Sequence, residues 1–206
     1  MPVPGNDGPP GLGTGGPGIV LRAFEGRPSA TVGRAMAEAP DPERTVLVVV
    51  EIPTGSRNKY EFDPESGRLT LDRMLFTATR YPADYGFIEG TLGGDGDALD
   101  ALVLVGEPTF PGCAIRARPV GLFRMWDEKG PDEKILCVPL RDPTWSHVHE
   151  LDDILPTLRA EVEHFFAVYK DLEGKKVGTG GFGGREEALQ VIEEARRRAE
   201  GTVSAG

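Results

Sequence analysis

Residues 45–76 read TVLVVVEIPTGSRNKYEFDPESGRLTLDRMLF, and this stretch decides the fold class. Thr45–Ile52 is β-branched and almost wholly apolar, which predicts a buried strand. Asn58–Asp63 alternates: Lys59, Glu61 and Asp63 fall on one face and Tyr60 and Phe62 on the other, following the two-residue period of a strand. Pro64–Gly67 is a turn signal, and Arg68–Phe76 returns as the second arm of a hairpin. Further strands are expected at Gly86–Glu89, Ala98–Val105, Cys113–Met125 and Lys134–Pro139. Only then do helical patterns appear. Pro156–Leu172 carries Leu158, Val162, Phe165, Phe166, Tyr169 and Leu172 on one stripe, with Pro156 suited to the first turn and Gly174 to the stop. Arg185–Ala199 places Glu186 and Glu187 at its start and Arg196–Arg198 at its end, matching the helix dipole. Short strands followed by two helices are not a repeating βαβ pattern. The expected fold class is therefore mainly β with flanking α, an antiparallel barrel or sheet with helices packed outside.

Composition narrows the function. The chain has 206 residues, enough for one domain plus tails, and a net charge of −10 that argues against a general nucleic-acid or anionic-membrane binder. No apolar run approaches the ~20 residues of a membrane-spanning helix. Cys113 and Cys137 sit in apolar contexts, as two buried thiols of a reduced, cytoplasmic protein. His147, His149 and His164 are too scattered for a zinc site, and His164 is expected to pack or hydrogen-bond locally. Residues 1–18 hold seven glycines and five prolines and cannot bury enough apolar surface to offset their ordering entropy. We expect residues 1–43 to be a disordered tail, with Met36 an alternative start, residues 44–200 to be the folded domain, and residues 201–206 to be flexible.

The sharpest chemical feature is Asp95-Gly96-Asp97-Ala98-Leu99-Asp100, three carboxylates within six residues. Carboxylates this close repel one another, so they must be solvated or bind cations. Oxygen ligands of this kind suit Mg²⁺, Mn²⁺ or Ca²⁺. An EF-hand is excluded, because counting from Asp95 puts Leu99 at position five, Asp100 at six and Gly106 at twelve, where that loop needs an oxygen ligand, a glycine and a glutamate. Asp127 and Asp132 form a second acidic pair near Lys134, in a segment (Trp126–Lys134) that reads as a hairpin end. Glu51 closes an apolar strand and needs a partner or a cation. Lys59, Glu61 and Arg73 lie on the predicted hairpin. A phosphate anion among so many carboxylates would be repelled unless divalent metals intervene, with lysine and arginine holding the remaining oxygens. Gly178-x-Gly180-x-x-Gly183 matches a dinucleotide fingerprint formally, but it lacks a preceding buried strand and a βαβ setting and reads as a flexible linker between the helices.

These residues resemble the soluble family I inorganic pyrophosphatases of bacterial type, from about Thr45 to Glu200. The resemblance is carried by Val50-Glu51-Ile52-Pro53, Asn58-Lys59-Tyr60-Glu61, Leu71-Asp72-Arg73, Tyr81-Pro82-Ala83-Asp84-Tyr85-Gly86-Phe87, Asp95 to Asp100, Asp127 to Lys134, and His164-Phe165-Phe166 leading to Tyr169-Lys170-Asp171-Leu172. It implies a five-stranded OB-like β-barrel with two C-terminal helices, and Mg²⁺-dependent hydrolysis of pyrophosphate to two orthophosphates. Several Mg²⁺ ions per site are implied, with Mn²⁺ as a substitute, as is a homo-hexamer. Asp95, Asp100 and Asp132 would hold the first metals, Asp127 would join Asp132 on a substrate-borne metal, and Glu51 and Glu61 would serve a further one. Asp97 would be the general base for a metal-activated water. Lys59, Arg73, Lys134, Tyr169 and Lys170 would bind phosphate, and Tyr85 would hydrogen-bond in the same site. The chain departs from the family pattern at Ala98, where proline is usual, and at Phe182, where tryptophan is frequent.

Overall fold

The apolar run after Thr45 forms strand β1 (Val46–Ile52), in which Val46, Val48, Val50 and Ile52 are buried while Leu47, Val49 and Glu51 are only partly covered. The structure, a computed structural model, describes residues 44–203. The expected N-terminal tail over residues 1–43 lies outside the described residues, as do residues 204–206. The predicted hairpin forms a two-stranded sheet of its own, β2 (Asn58–Asp63) against β3 (Arg68–Met74). Its turn is set by Asp63, whose carboxylate accepts from the Glu65 N–H at 2.9 Å and the Ser66 hydroxyl at 2.5 Å, and by Gly67 at φ 65°.

The chain continues through β4 (Asp84–Ile88), β5 (Asp100–Val103), β6 (Ala114–Asp127), β7 (Gly130–Pro131), β8 (Lys134–Pro139), α1 (Pro156–Val168), β9 (Gly178–Gly183) and α2 (Arg185–Val203). Strands β1, β4, β5, β8 and β6 pair in that order, and β6 pairs back to β1, so five strands close into an OB-like ring. All of these pairings are antiparallel except β5–β8. At the β1–β4 seam Gly86 lies opposite Val50, and a Cβ there would come within 2.0 Å of the Val49 carbonyl oxygen. The close approach requires glycine.

Strands β5 and β8 are buried on both faces, which explains their continuous apolar runs. Leu102, Leu104, Leu136 and Val138 pack with Val162, Phe165 and Phe166 of α1. Ala101, Val103, Ile135 and Cys137 pack with Ala188, Ile192 and Ala195 of α2. The wholly buried Asp84 accepts four hydrogen bonds, from the N–H and hydroxyl of Thr54 (2.8 and 2.9 Å) and of Thr109 (3.1 and 2.5 Å). It thereby ties the loop after β1 to the loop after β5.

Five expectations need correction. The glycine-rich segment 178–183 is strand β9, paired antiparallel with β6, and not a linker. Helix α1 ends at Val168 and a 3-10 turn (Asp171–Glu173) follows, so Leu172 leaves the buried stripe and is 67% exposed. Helix α2 runs on to Val203, which moves Arg196–Arg198 out of its last turn. Cys137 is buried but Cys113 only partly so, and His164 is exposed. Among the described residues no helix is long and apolar enough to cross a membrane.

Candidate active site

One cleft of about 720 Å³ opens between the ring, the β2–β3 hairpin and the segment following α1. Of the thirteen site residues expected from sequence, it is lined by Asp95, Asp97, Asp100, Asp127, Asp132, Glu51, Glu61, Lys59, Arg73, Tyr85, Tyr169 and Lys170. The exception, Lys134, lies beneath the cleft floor.

Several separate elements bring these side chains together. Asp100 opens β5, where strand alternation turns its carboxylate away from the buried Ala101. Asp95 and Asp97 sit on the turn before it. That turn is folded by the left-handed Gly96 (φ 94°), by the Gly93 N–H donating to the Asp97 carbonyl at 2.6 Å, and by the Asp97 N–H donating to the Asp95 carboxylate at 3.2 Å. Asp127 ends β6 and Asp132 follows β7, so the β6–β7 hairpin presents both. Tyr169 and Lys170 follow α1, placed by the Tyr169 N–H bonding to the Phe165 carbonyl at 2.9 Å.

Carboxylates and cations alternate across the cleft. Buried Lys134 donates to Asp100 at 2.5 Å and to Asp132, and Tyr85 donates its hydroxyl to the same Asp100 oxygen at 2.5 Å. The Lys134 ammonium also lies 5.6 Å from the Tyr85 ring centre and 5.9 Å from that of Phe166. Burial opposes the charge on Lys134, but Asp100 and Asp132 outweigh it and hold the ammonium above its usual range. Lys170 pairs with Asp127 at 3.0 Å. Burial opposes ionisation of Asp127, yet the Lys129 N–H at 2.8 Å and the Lys170 ammonium hold the carboxyl below its usual range. Lys59 pairs with Glu61 and lies 3.6 Å from Asp72. Arg73 donates from Nε to Glu173 at 2.9 Å and from Nη1 to Asp72. Burial pushes the Tyr85 phenol well up, with Asp100 adding to the effect, and it pushes Tyr169 up likewise. Both therefore stay protonated donors.

Glu51 is the most perturbed carboxyl of the cleft. Burial raises it to about 7, against the opposing Phe62 N–H donating at 2.7 Å, with Asp100 adding to the rise. A carboxylate covered in this way favours an incoming cation.

Sequence reasoning missed Lys129 and Lys175, which line the cleft, and Glu173 and Asp72, which hold Arg73. Lys129 had a signal, since it lies between Asp127 and Asp132 on the expected hairpin end. Glu173 and Lys175 had none beyond their place after the helix stop. Among the described residues no three His, Cys, Asp or Glu side chains converge tightly enough to cage a metal by themselves. Mg²⁺ commonly completes its shell with water and substrate oxygens, so an open carboxylate cleft suits it.

The inorganic pyrophosphatase family model matches residues 48–200. The chain is 57% identical over 152 residues to a Streptomyces coelicolor protein named inorganic pyrophosphatase, spanning 73% of this chain and 93% of the relative. It is 54% identical over 151 residues to a Methanosarcina acetivorans protein of the same name, spanning 73% and 90%. Among solved structures, an inorganic pyrophosphatase from Helicobacter pylori matches with a TM-score of 0.75 at 43% identity, covering 80% of this chain and 99% of that one. An inorganic pyrophosphatase from Thermus thermophilus matches with a TM-score of 0.75 at 42% identity, covering 79% and 95%.

Proposed function

The chain belongs to the inorganic pyrophosphatase family, and from that premise we propose that it hydrolyses pyrophosphate to two orthophosphates by a multi-metal mechanism in which Asp97 is the general base. The observation that carries this reading is the gathering of twelve expected site residues from separate segments into one cleft.

The donor set fits magnesium. The acidic groups facing the cleft are all hard oxygen donors, and neither cysteine nor histidine lines it. The Lys134 ammonium between Asp100 and Asp132 supports the same conclusion, since those two carboxylates already converge on one cation. Asp95, Asp100, Asp132, Asp127, Glu51 and Glu61 would hold Mg²⁺, or Mn²⁺ in its place. Metal held there would neutralise phosphate charge and lower the pKa of the attacking water toward neutrality.

The chain's own residues do the rest. Asp97 is exposed on a glycine turn, open to solvent, and takes the proton as the water oxygen attacks phosphorus. The bridging P–O bond breaks, and Lys59, Arg73, Lys170 and Tyr169 hold the oxygens that gain charge. Tyr85 is fixed on Asp100 and orients that carboxylate. Lys134 reaches phosphate only once its ammonium is released from Asp100 and Asp132, so its role is coupled to cation binding. The reading extends to a cytoplasmic homo-hexamer. Exposed Leu71, Met74 and Phe76 on the hairpin side, with Leu155 and Leu172 flanking α1, supply apolar surface for self-association.

The test is phosphate release from pyrophosphate by the purified chain, with Mg²⁺ and with a chelator. Release that requires Mg²⁺ supports the reading. No release from folded protein supplied with Mg²⁺ or Mn²⁺ overturns it.

A further inference from the structure

Glu173 is the last residue of the 3-10 turn after α1, where Gly174 (φ 69°) reverses the chain. Its backbone is fixed by its N–H donating to the Lys170 carbonyl at 3.0 Å. Its neighbour Leu172 is 67% exposed, yet the Glu173 side chain is only 6% exposed. A carboxylate covered to that extent needs partners. It has the Arg73 Nε at 2.9 Å, with the Lys175 ammonium at 3.9 Å. Both of these cations line the cleft, whereas Glu173 does not. It holds Arg73 from behind.

The geometry constrains Arg73 in particular. A guanidinium has five N–H donors in one plane. Glu173 takes the Nε donor and Asp72 takes one on Nη1, leaving three for the cleft. Arg73 belongs to the hairpin, a sheet separate from the ring, and Glu173 lies 100 residues further on, beside Tyr169 and Lys170. The bond therefore joins the hairpin to the segment after α1, two elements that both border the cleft. We propose that Glu173 is a positioning residue for the reaction, fixing the plane and reach of the Arg73 guanidinium toward a substrate phosphate oxygen. This rests on the reading of Arg73 as a phosphate-binding residue. Arg73 must meet its anion in a set orientation, and a bond at Nε supplies it.

The test is a double-mutant cycle in kcat/KM for pyrophosphate with Mg²⁺, using Glu173→Ala, Arg73→Ala and the double variant. Glu173→Ala alone is expected to lower kcat/KM by roughly 10- to 100-fold, mostly through KM, as loss of a charge-assisted hydrogen bond implies. In the Arg73→Ala background the same change is expected to cost less than about 2-fold. Glu173→Gln keeps an acceptor and should fall between wild type and Glu173→Ala. It carries the cycle should Glu173→Ala not fold. An equal loss in both backgrounds overturns the proposal, as does a drop in urea midpoint with kcat/KM unchanged, which would make Glu173 only an anchor for the hairpin. If Arg73→Ala by itself leaves kcat/KM intact, the phosphate-binding reading of Arg73 fails and the role of Glu173 falls with it. The two failures are distinct, because in the first Arg73→Ala is still impaired.

Discussion

Replacing Glu51 by glutamine tests the electrostatics of the cleft without touching its shape. Burial holds the Glu51 carboxyl at about 7, against 4.5 for the free group. The folded protein therefore binds this proton more tightly than the unfolded chain. Below pH 4.5 the group is neutral in both states and costs nothing. As pH rises from 4.5 to about 7, the unfolded chain ionises first and stability falls. Above 7 the full cost is present. The interval of about 2.5 pH units, at about 1.4 kcal/mol each, sets that cost at about 3–4 kcal/mol. The substitution Glu51→Gln leaves an amide oxygen that can still accept the Phe62 N–H. In chelator, at one protein concentration, urea unfolding of the variant should show greater stability than wild type at pH 8 by up to about 3–4 kcal/mol. The gap should close by pH 4.5. A variant no more stable than wild type at pH 8, or a gap that ignores pH, would refute the argument. With Mg²⁺ present the same variant should turn over more slowly, because it lacks a proposed ligand.

Two further perturbations probe the frame around the site. Asp84→Ala removes the acceptor of four hydrogen bonds from Thr54 and Thr109, and a loss of about 2–4 kcal/mol in urea unfolding is expected. Gly178→Ala would place a Cβ 2.2–2.5 Å from three atoms of the Trp126 indole. It should cost about 1–3 kcal/mol and shift the tryptophan emission as the ring is displaced, whereas an unchanged spectrum and midpoint would contradict the packing of β9 on β6.

The parts legible in the sequence were those decided locally. Alternation over Asn58–Asp63 and the Pro64–Gly67 turn specify the β2–β3 hairpin within ten residues. The crowding of Asp95, Asp97 and Asp100 marks a carboxylate cluster without any knowledge of the rest of the chain, and all three line the cleft. Features decided by distant partners were not legible. Residues 178–183 read as a linker because glycine is depleted in strands. Here β6 is fourteen residues long and offers an edge, and Trp126 lies over Gly178 where any side chain would clash. The resemblance gives Lys134 a phosphate-binding role, but not that β8 is buried through Lys134–Val138, which turns its ammonium inward onto Asp100 and Asp132. Glu173 looks like a surface turn residue until Arg73, a hundred positions earlier, is seen against it.

The most direct test of the account is turnover of wild type and Asp97→Asn side by side, with Mg²⁺ binding followed by calorimetry on both. The account predicts that the variant folds, still binds Mg²⁺ and releases phosphate from pyrophosphate roughly 10²–10⁴-fold more slowly. Undiminished release by Asp97→Asn would contradict it and remove that carboxylate from the proton transfer.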